Sequence, residues 1–161
     1  MERLWTPWRM AFVGGAEQPG CLFCNKAAEQ DRDEANLLVH RDEHAFVMLN
    51  LYPYNSGHVM IAPYLHTDDL AALPPEIGAG VLGLTQRSVA ALTAEYGPQG
   101  FNVGMNLGGV AGAGVPDHLH VHVVPRWGGD TNFMPVTAET KVLPETLDQT
   151  YQRLRKHFGG G

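Results

Sequence analysis

Cysteine is scarce in this chain: 161 residues contain two, Cys21 and Cys24. A single close pair cannot staple a secreted fold, so a disulfide framework is excluded and a reduced, cytoplasmic setting is expected. Charge is sparse at 17% and leans acidic, with 11 lysines and arginines against 17 aspartates and glutamates, for a net charge of −6. Without a long basic run, electrostatic capture of nucleic acid is not expected, and an anionic ligand must be gripped locally. No apolar stretch approaches the roughly 20 residues needed to cross a bilayer. Met1 to Pro7 shows neither the apolar core nor the cleavage pattern of a signal peptide. Internal repeats and low-complexity tracts are missing as well. What remains is a chain of 44% hydrophobic content, enough for one well-buried domain and too short for a second.

Histidine, by contrast, is concentrated. In His118-Leu119-His120-Val121-His122-Val123-Val124 three imidazoles alternate with apolar residues. Alternate side chains of a strand share a face, so this pattern predicts a strand with Leu119, Val121 and Val123 on a core and the histidines opposite. A helix would scatter them, and the valines favour a strand. Three imidazoles side by side repel one another when protonated. Two chemistries suit neutral rings held this way: metal ligation, and nucleophilic or acid–base catalysis.

The rest of the chain reads as short strands and two longer helices. Residues 1–20 carry Trp5 and Trp8 and are expected to form an arm packed on a body or a partner, because tryptophan is costly to leave in water. Leu37–Val39 and Ala45–Leu49 suggest a hairpin turning at Arg41 to His44, and His58–Pro63 is another strand after the turn chemistry of Asn50 to Gly57. Thr67 to Asp69 are expected to cap a short helical turn. After Pro74-Pro75, Ile77, Val81, Leu84, Ser88, Ala91 or Leu92, and Glu95 trace a helical stripe that stops at Gly97-Pro98. Gly100 to Leu107 reads as a strand, followed by the glycine-rich loop Gly108 to Gly114. Such a loop can turn several backbone N–H groups toward phosphate oxygens, or be a flexible connection; it matches no Walker or dinucleotide fingerprint. Leu143, Leu147, Tyr151, Leu154 and Phe158 predict a last helix starting near Pro144. The expectation is an α+β domain on an antiparallel sheet. Its parts are an arm (1–20), a core (21–135) and a C-terminal extension with a helix (136–161).

His120, in the middle of the row, is the best-placed nucleophile. One nitrogen attacks while the other, as N–H, is held by an acceptor such as the main-chain carbonyl of His118. Attack on an α-phosphorus gives a nucleotidyl-histidine. The backbone N–H groups of the loop, including Gly112 and Gly114, with His122 and Arg126, are the candidate donors to the phosphate. Cys21-Leu22-Phe23-Cys24 has the spacing of half a metal site; the pair can equally be small core residues or a redox couple.

The run His118 to Val124 resembles the His-φ-His-φ-His-φ-φ signature of the histidine-triad (HIT) superfamily of nucleotide hydrolases and transferases. The likeness extends through Asn50 to His58, Asn102 to Asn106 and Pro125 to Phe133. It is similar in particular to the bacterial Fhit-like branch, described as diadenosine tetraphosphate phosphorylases or ATP adenylyltransferases. The resemblance implies a HIT-like fold of about five antiparallel strands and two main helices, and cleavage of dinucleoside polyphosphates at the α-phosphate with phosphate or water as acceptor. It implies His120 as the nucleophile that takes up AMP, His122 as phosphate binder or aid to the leaving group, and His58 as a fourth active-site histidine. Asn50 would bind ribose hydroxyls, and Asn106 would lie near the phosphates. Many members place Gln, often followed by Ser or Thr, four positions before the first histidine; here Gly114 and Val115 stand there. That departure removes a side-chain donor, leaves the task to backbone N–H groups, and speaks against the phosphoramidase activity of another branch. The resemblance also implies a structural Zn²⁺ held by Cys21, Cys24, His66 and His118, and a homodimer using Trp5, Trp8 or Trp127. Two rival readings are a non-catalytic nucleotide-binding zinc protein and an RNA-cap or DNA-adduct processing enzyme, the latter disfavoured by the acidic balance.

Overall fold

The computed structural model describes residues 19–131 and 143–159. The expected arm with Trp5 and Trp8, and most of the stretch leading to the last helix, lie outside them. Five strands, β1 (Leu38–Arg41), β2 (Ala45–Leu49), β3 (Val59–Pro63), β4 (Gly100–Gly104) and β5 (Val121–Arg126), form one antiparallel sheet in the order β1-β2-β3-β5-β4. The helices are α1 (Leu22–Ala28), α2 (Pro75–Tyr96) and α3 (Leu147–Arg155). Among the described residues no helix is long and apolar enough to cross a membrane.

Strand alternation splits the apolar residues between two layers. Val47, Leu49, Val59, Ile61, Val121 and Val123 face α2 and α3, which cover them with Val81, Leu84, Leu92, Tyr151 and Leu154. Phe46, Met48, Met60 and Ala62 point the other way, where Phe23 of α1 closes over them. Both faces of β2 and β3 are thus buried, which is why their sequences read as nearly continuous apolar runs. The histidines fall on the α1 face.

The predicted stripe of α2 is its buried face, with Pro75 at the first helical position and Gly97 in the left-handed region (φ 55°), its N–H bonded to the Thr93 carbonyl. A capping box starts α3: the Thr146 hydroxyl accepts from Gln149 N–H while the Gln149 side chain accepts from Thr146 N–H. A 3-10 turn, Lys156–Phe158, then buries Phe158. The segment leading into α3 closes behind the site, where Leu143, Glu145, Leu147 and Thr150 meet Leu49, Pro53, Ser56, Gly57 and His58 around a small void.

Three expectations need correction. The histidine strand begins at Val121, not His118. Pairing with β3 runs from Val59↔Val123 to Ile61↔Val121 and stops two residues before Pro63, which has no N–H to give and whose carbonyl accepts from the His118 ring instead. Strand β4 ends at Gly104 rather than Leu107. Finally, Cys21 and Cys24 flank the start of a helix that the sequence does not predict, since seven residues with one buried apolar side chain carry no periodic stripe.

Gly57 ends the loop that delivers His58 to the site. Its φ is +81°, and a Cβ there would lie 2.7 Å from Leu92 Cδ2 and 3.3 Å from both Pro125 and Tyr96 side chains. Gly57→Ala is therefore expected to destabilise the fold by about 1–3 kcal/mol, from left-handed strain plus crowding. Urea unfolding of the variant against the wild type measures it.

Candidate active site

His120 is buried, 4% exposed, in the approach to β5. Its Nδ1 lies 2.8 Å from the His118 carbonyl oxygen. A carbonyl only accepts, so Nδ1 carries the proton and Nε2 keeps the free lone pair. Burial holds this imidazole below the ordinary histidine range, with the bond to the carbonyl opposing the shift, so the ring is neutral at pH 7. A neutral, single-tautomer imidazole with Nε2 unprotonated is the form a nucleophile requires.

His122 stands edge-on to His120, with ring centroids 4.9 Å apart at 69°. Its own tautomer is set from behind. The Tyr54 backbone N–H donates to His58 Nδ1 at 3.1 Å, so a neutral His58 carries its proton on Nε2. That nitrogen lies 2.9 Å from His122 Nδ1 and donates to it, leaving the His122 proton on Nε2. Neighbouring rings thus present opposite functions: a lone pair on His120 and an N–H on His122. The Tyr54 ring stacks on His58 at 4.8 Å, and His58 itself is 1% exposed. Asn50 Nδ2 is 3.5 Å from His58 Nε2, too long to compete with the bond to His122.

The other predicted binding residues are placed as follows. The Asn50 side-chain oxygen accepts from Tyr52 N–H at 2.8 Å, shaping the loop beside His58. Asn106 Nδ2 donates to the Gly112 carbonyl at 3.3 Å and steadies the glycine loop, where Gly112 adopts φ 91°. Gly114 is exposed in the same connection. Arg126 is not brought to the histidines. It lies four residues past His122, roughly 13 Å along the strand, and its guanidinium is engaged by Asp130 (2.6 and 2.9 Å) and Asn102 (2.7 Å). Arg126 holds the Asp130 carboxyl well below the usual carboxylate range, and Asp130 also accepts from Asn55, tying the strand end to the loop before His58. An open depression of about 500 Å³ beside α3, lined by Glu145, Gln149 and Arg153 among others, holds none of these groups.

Cys21, Cys24, His66 and His118 converge, their ligand atoms all within 4.8 Å of one another. His118 Nδ1 is 3.2 Å from Cys21 Sγ, 3.6 Å from Cys24 Sγ and 3.2 Å from His66 Nδ1, and His66 Nδ1 is 3.4 Å from Cys24 Sγ. Two sulfurs and two nitrogens at Zn–S and Zn–N bond lengths around a tetrahedral centre stand about 3.3–3.8 Å apart, so the set fits Zn²⁺. The outer nitrogen of His118 donates to the Pro63 carbonyl at 2.8 Å, which leaves Nδ1 as the ligating atom and fixes the ring. Burial and the Cys21 sulfur push the Cys24 thiol up, a repulsion that a divalent cation relieves.

Two contributors escape a reading of the sequence. The Tyr54 donor is a backbone group, invisible to residue type. Phe23, wholly buried, lays its ring 5.2 Å from His118 and 4.8 Å from His120; its position between the cysteines is the available signal.

Comparison with known proteins gives the family. A family model described as the HIT domain matches residues 32–129. A relative named AP-4-A phosphorylase, from Mycobacterium tuberculosis, is 41% identical over 163 aligned positions, taking in 96% of this chain and 83% of the relative. Among solved structures, a Zn-bound histidine triad family protein from Mycobacterium smegmatis matches with a TM-score of 0.67 at 27% identity, covering 86% of this chain and 92% of that one. A HIT family protein from Bacillus anthracis matches with a TM-score of 0.58 at 31% identity, covering 70% and 77%. The matched region spans the sheet, α2 and all three histidines of the row: the chain belongs to the histidine-triad (HIT) family.

Proposed function

We propose that this chain is an enzyme that cleaves dinucleoside polyphosphates, diadenosine tetraphosphate among them, at the α-phosphate through a covalent nucleotidyl-His120. The observation that carries the reading is the His118 carbonyl on His120 Nδ1, which leaves Nε2 as a neutral nucleophile. The likeness to the M. tuberculosis protein named AP-4-A phosphorylase supports the substrate and phosphate as the acceptor.

In the first step His120 Nε2 forms a bond to the α-phosphorus and the bond from phosphorus to the bridging oxygen breaks. The Nε2–H of His122 meets the departing oxygen and supplies its proton; the N–H groups of Ala111, Gly112 and Ala113 are turned onto carbonyls within the loop, so Gly114 is the loop's backbone donor to the non-bridging oxygens. In the second step an oxygen of inorganic phosphate attacks the same phosphorus and passes its proton to the Nε2 that His122 has emptied, while the bond from phosphorus to His120 Nε2 breaks and both rings return to their starting forms. From diadenosine tetraphosphate the products are ATP and ADP. Water in place of phosphate gives ATP and AMP.

We assign Cys21, Cys24, His66 and His118 to a structural Zn²⁺, and the likeness to the Zn-bound M. smegmatis protein supports that choice of ion. Bound there, the ion joins α1 to the approach of β5 and offers no open coordination position. Strand β4 is one of the two sheet edges, with Asn102, Val103 and Gly104 exposed and the apolar Val103 half uncovered. Such an edge invites pairing, and a homodimer is the assembly we assign. The acidic balance speaks against nucleic acid as a partner, and a reduced cytoplasmic setting suits two free cysteines.

His120→Ala is expected to lower turnover of diadenosine tetraphosphate by at least about 10³-fold while nucleotide affinity stays within a few fold; steady-state kinetics and calorimetry measure the two, and a near-normal rate would refute the nucleophile. Product analysis with and without added phosphate separates ATP plus ADP from ATP plus AMP. Cys24→Ser, or prolonged chelation, is expected to release about one metal ion per chain and to lower the melting temperature by roughly 10 °C, the size of a loss of about 3 kcal/mol. Elemental analysis and thermal melting check both.

A further inference from the structure

We infer that Phe23 is a positioning residue for His120. The inference rests on His120 being the nucleophile and adds the part that keeps its ring in place.

A histidine side chain has two torsions. The bond from Nδ1 to the His118 carbonyl fixes where one nitrogen sits, but leaves the ring able to tilt about that point and swing Nε2 away from a phosphorus. Something must press on the ring face. The Phe23 ring does so from 4.8 Å at 38°, within the range of favourable aromatic contact, while His122 meets His120 edge-on from 4.9 Å. Phe23 itself cannot yield easily. It is wholly buried and packs against Phe46 at 6.4 Å, and α1 is held at its far end by Arg41, whose guanidinium binds the Asp33 carboxylate (2.8 and 3.0 Å) and caps the Ala27 carbonyl at 2.8 Å. The cysteines on either side of Phe23 hold the other end near His118 and His66. Helix α1 is therefore a short clamp whose ligating ends aim its one buried side chain at the nucleophile.

Phe23→Leu removes the ring face and keeps the site apolar. Phe46→Leu is the control: it opens the same layer next to Phe23, and the ring contacts of Phe46 are with Phe23 and Tyr64 rather than with a histidine. For Phe23→Leu, kcat for diadenosine tetraphosphate is expected to fall about tenfold with KM within about twofold, since small misplacement of a reacting group is read in the rate. In the substrate-free protein, NMR is expected to show faster solvent exchange of the His120 Nδ1–H. Phe46→Leu is expected to leave both within about twofold, at a comparable drop in melting temperature. Unchanged Nδ1–H exchange in Phe23→Leu, a rise in KM alone, or equal losses in Phe46→Leu would each overturn the inference. Should Phe23→Leu fail to fold, Phe23→Met, which conserves volume better, carries the same readouts. A wild-type protein without turnover overturns the reaction assigned to His120, and the exchange measurement still decides for or against Phe23.

Discussion

Every part of the site hangs on the surroundings of His118. Its main-chain carbonyl fixes the tautomer of His120, its outer ring nitrogen binds the Pro63 carbonyl at the end of β3, and its inner nitrogen faces the two cysteines and His66. One residue thus links the end of a central strand, the metal-type cluster and His120, the proposed nucleophile. The cost of that arrangement is regular pairing: β5 gives up its ladder at Val121 so that the backbone and ring of His118 can be used for other bonds. The lost ladder is made good by specific partners, with Leu119 N–H taken by the Thr67 carbonyl.

The sheet explains why neutral histidines crowd together here. Because both faces of β2 and β3 are covered, His120, in the approach to β5, lies buried against Phe23 of α1 rather than in water. Burial suppresses the charged form of His120, and neutrality lets neighbouring rings alternate donor and acceptor along the line Tyr54, His58, His122. A protonated row would repel itself and would offer N–H groups where the chemistry needs a lone pair.

Much of this is legible in sequence because it obeys local periodicity. The alternation of His118, His120 and His122 puts them on one face, the stripe from Val81 to Leu92 with its proline start and Gly97 stop marks α2, and Cys21 with Cys24 marks a ligand pair. What is not legible depends on long-range partners. Nothing local says that Pro63 will give its carbonyl to a ring 55 residues away, so the sequence pattern runs the strand three residues too long. Helix α1 forms because its ends are tied to Arg41 and to the histidine cluster and because Phe23 finds a core, none of which its seven residues reveal. Charge alone would put Arg126 at the phosphates. Asp130, four residues later, supplies a bidentate partner that keeps it at the far end of β5.

That placement of Arg126 bears on how an acidic protein would handle the polyphosphate substrate proposed for it. With that guanidinium committed to Asp130 and Asn102, the reaction proposed for His120 relies on dipoles as donors, the N–H of His122 and the Gly114 backbone N–H. Oriented N–H groups in a partly buried site gain most where charge grows, on the non-bridging oxygens and the leaving oxygen, and they need no reorganisation when it does. The glycines serve this by allowing the left-handed turn at Gly112 that brings its carbonyl to Asn106, so the loop is held in shape by a side chain although it lacks side chains of its own to offer. The absence of a glutamine before the first histidine is then consistent with the proposed reaction, in which the backbone, rather than an added polar side chain, would carry the burden of the phosphate.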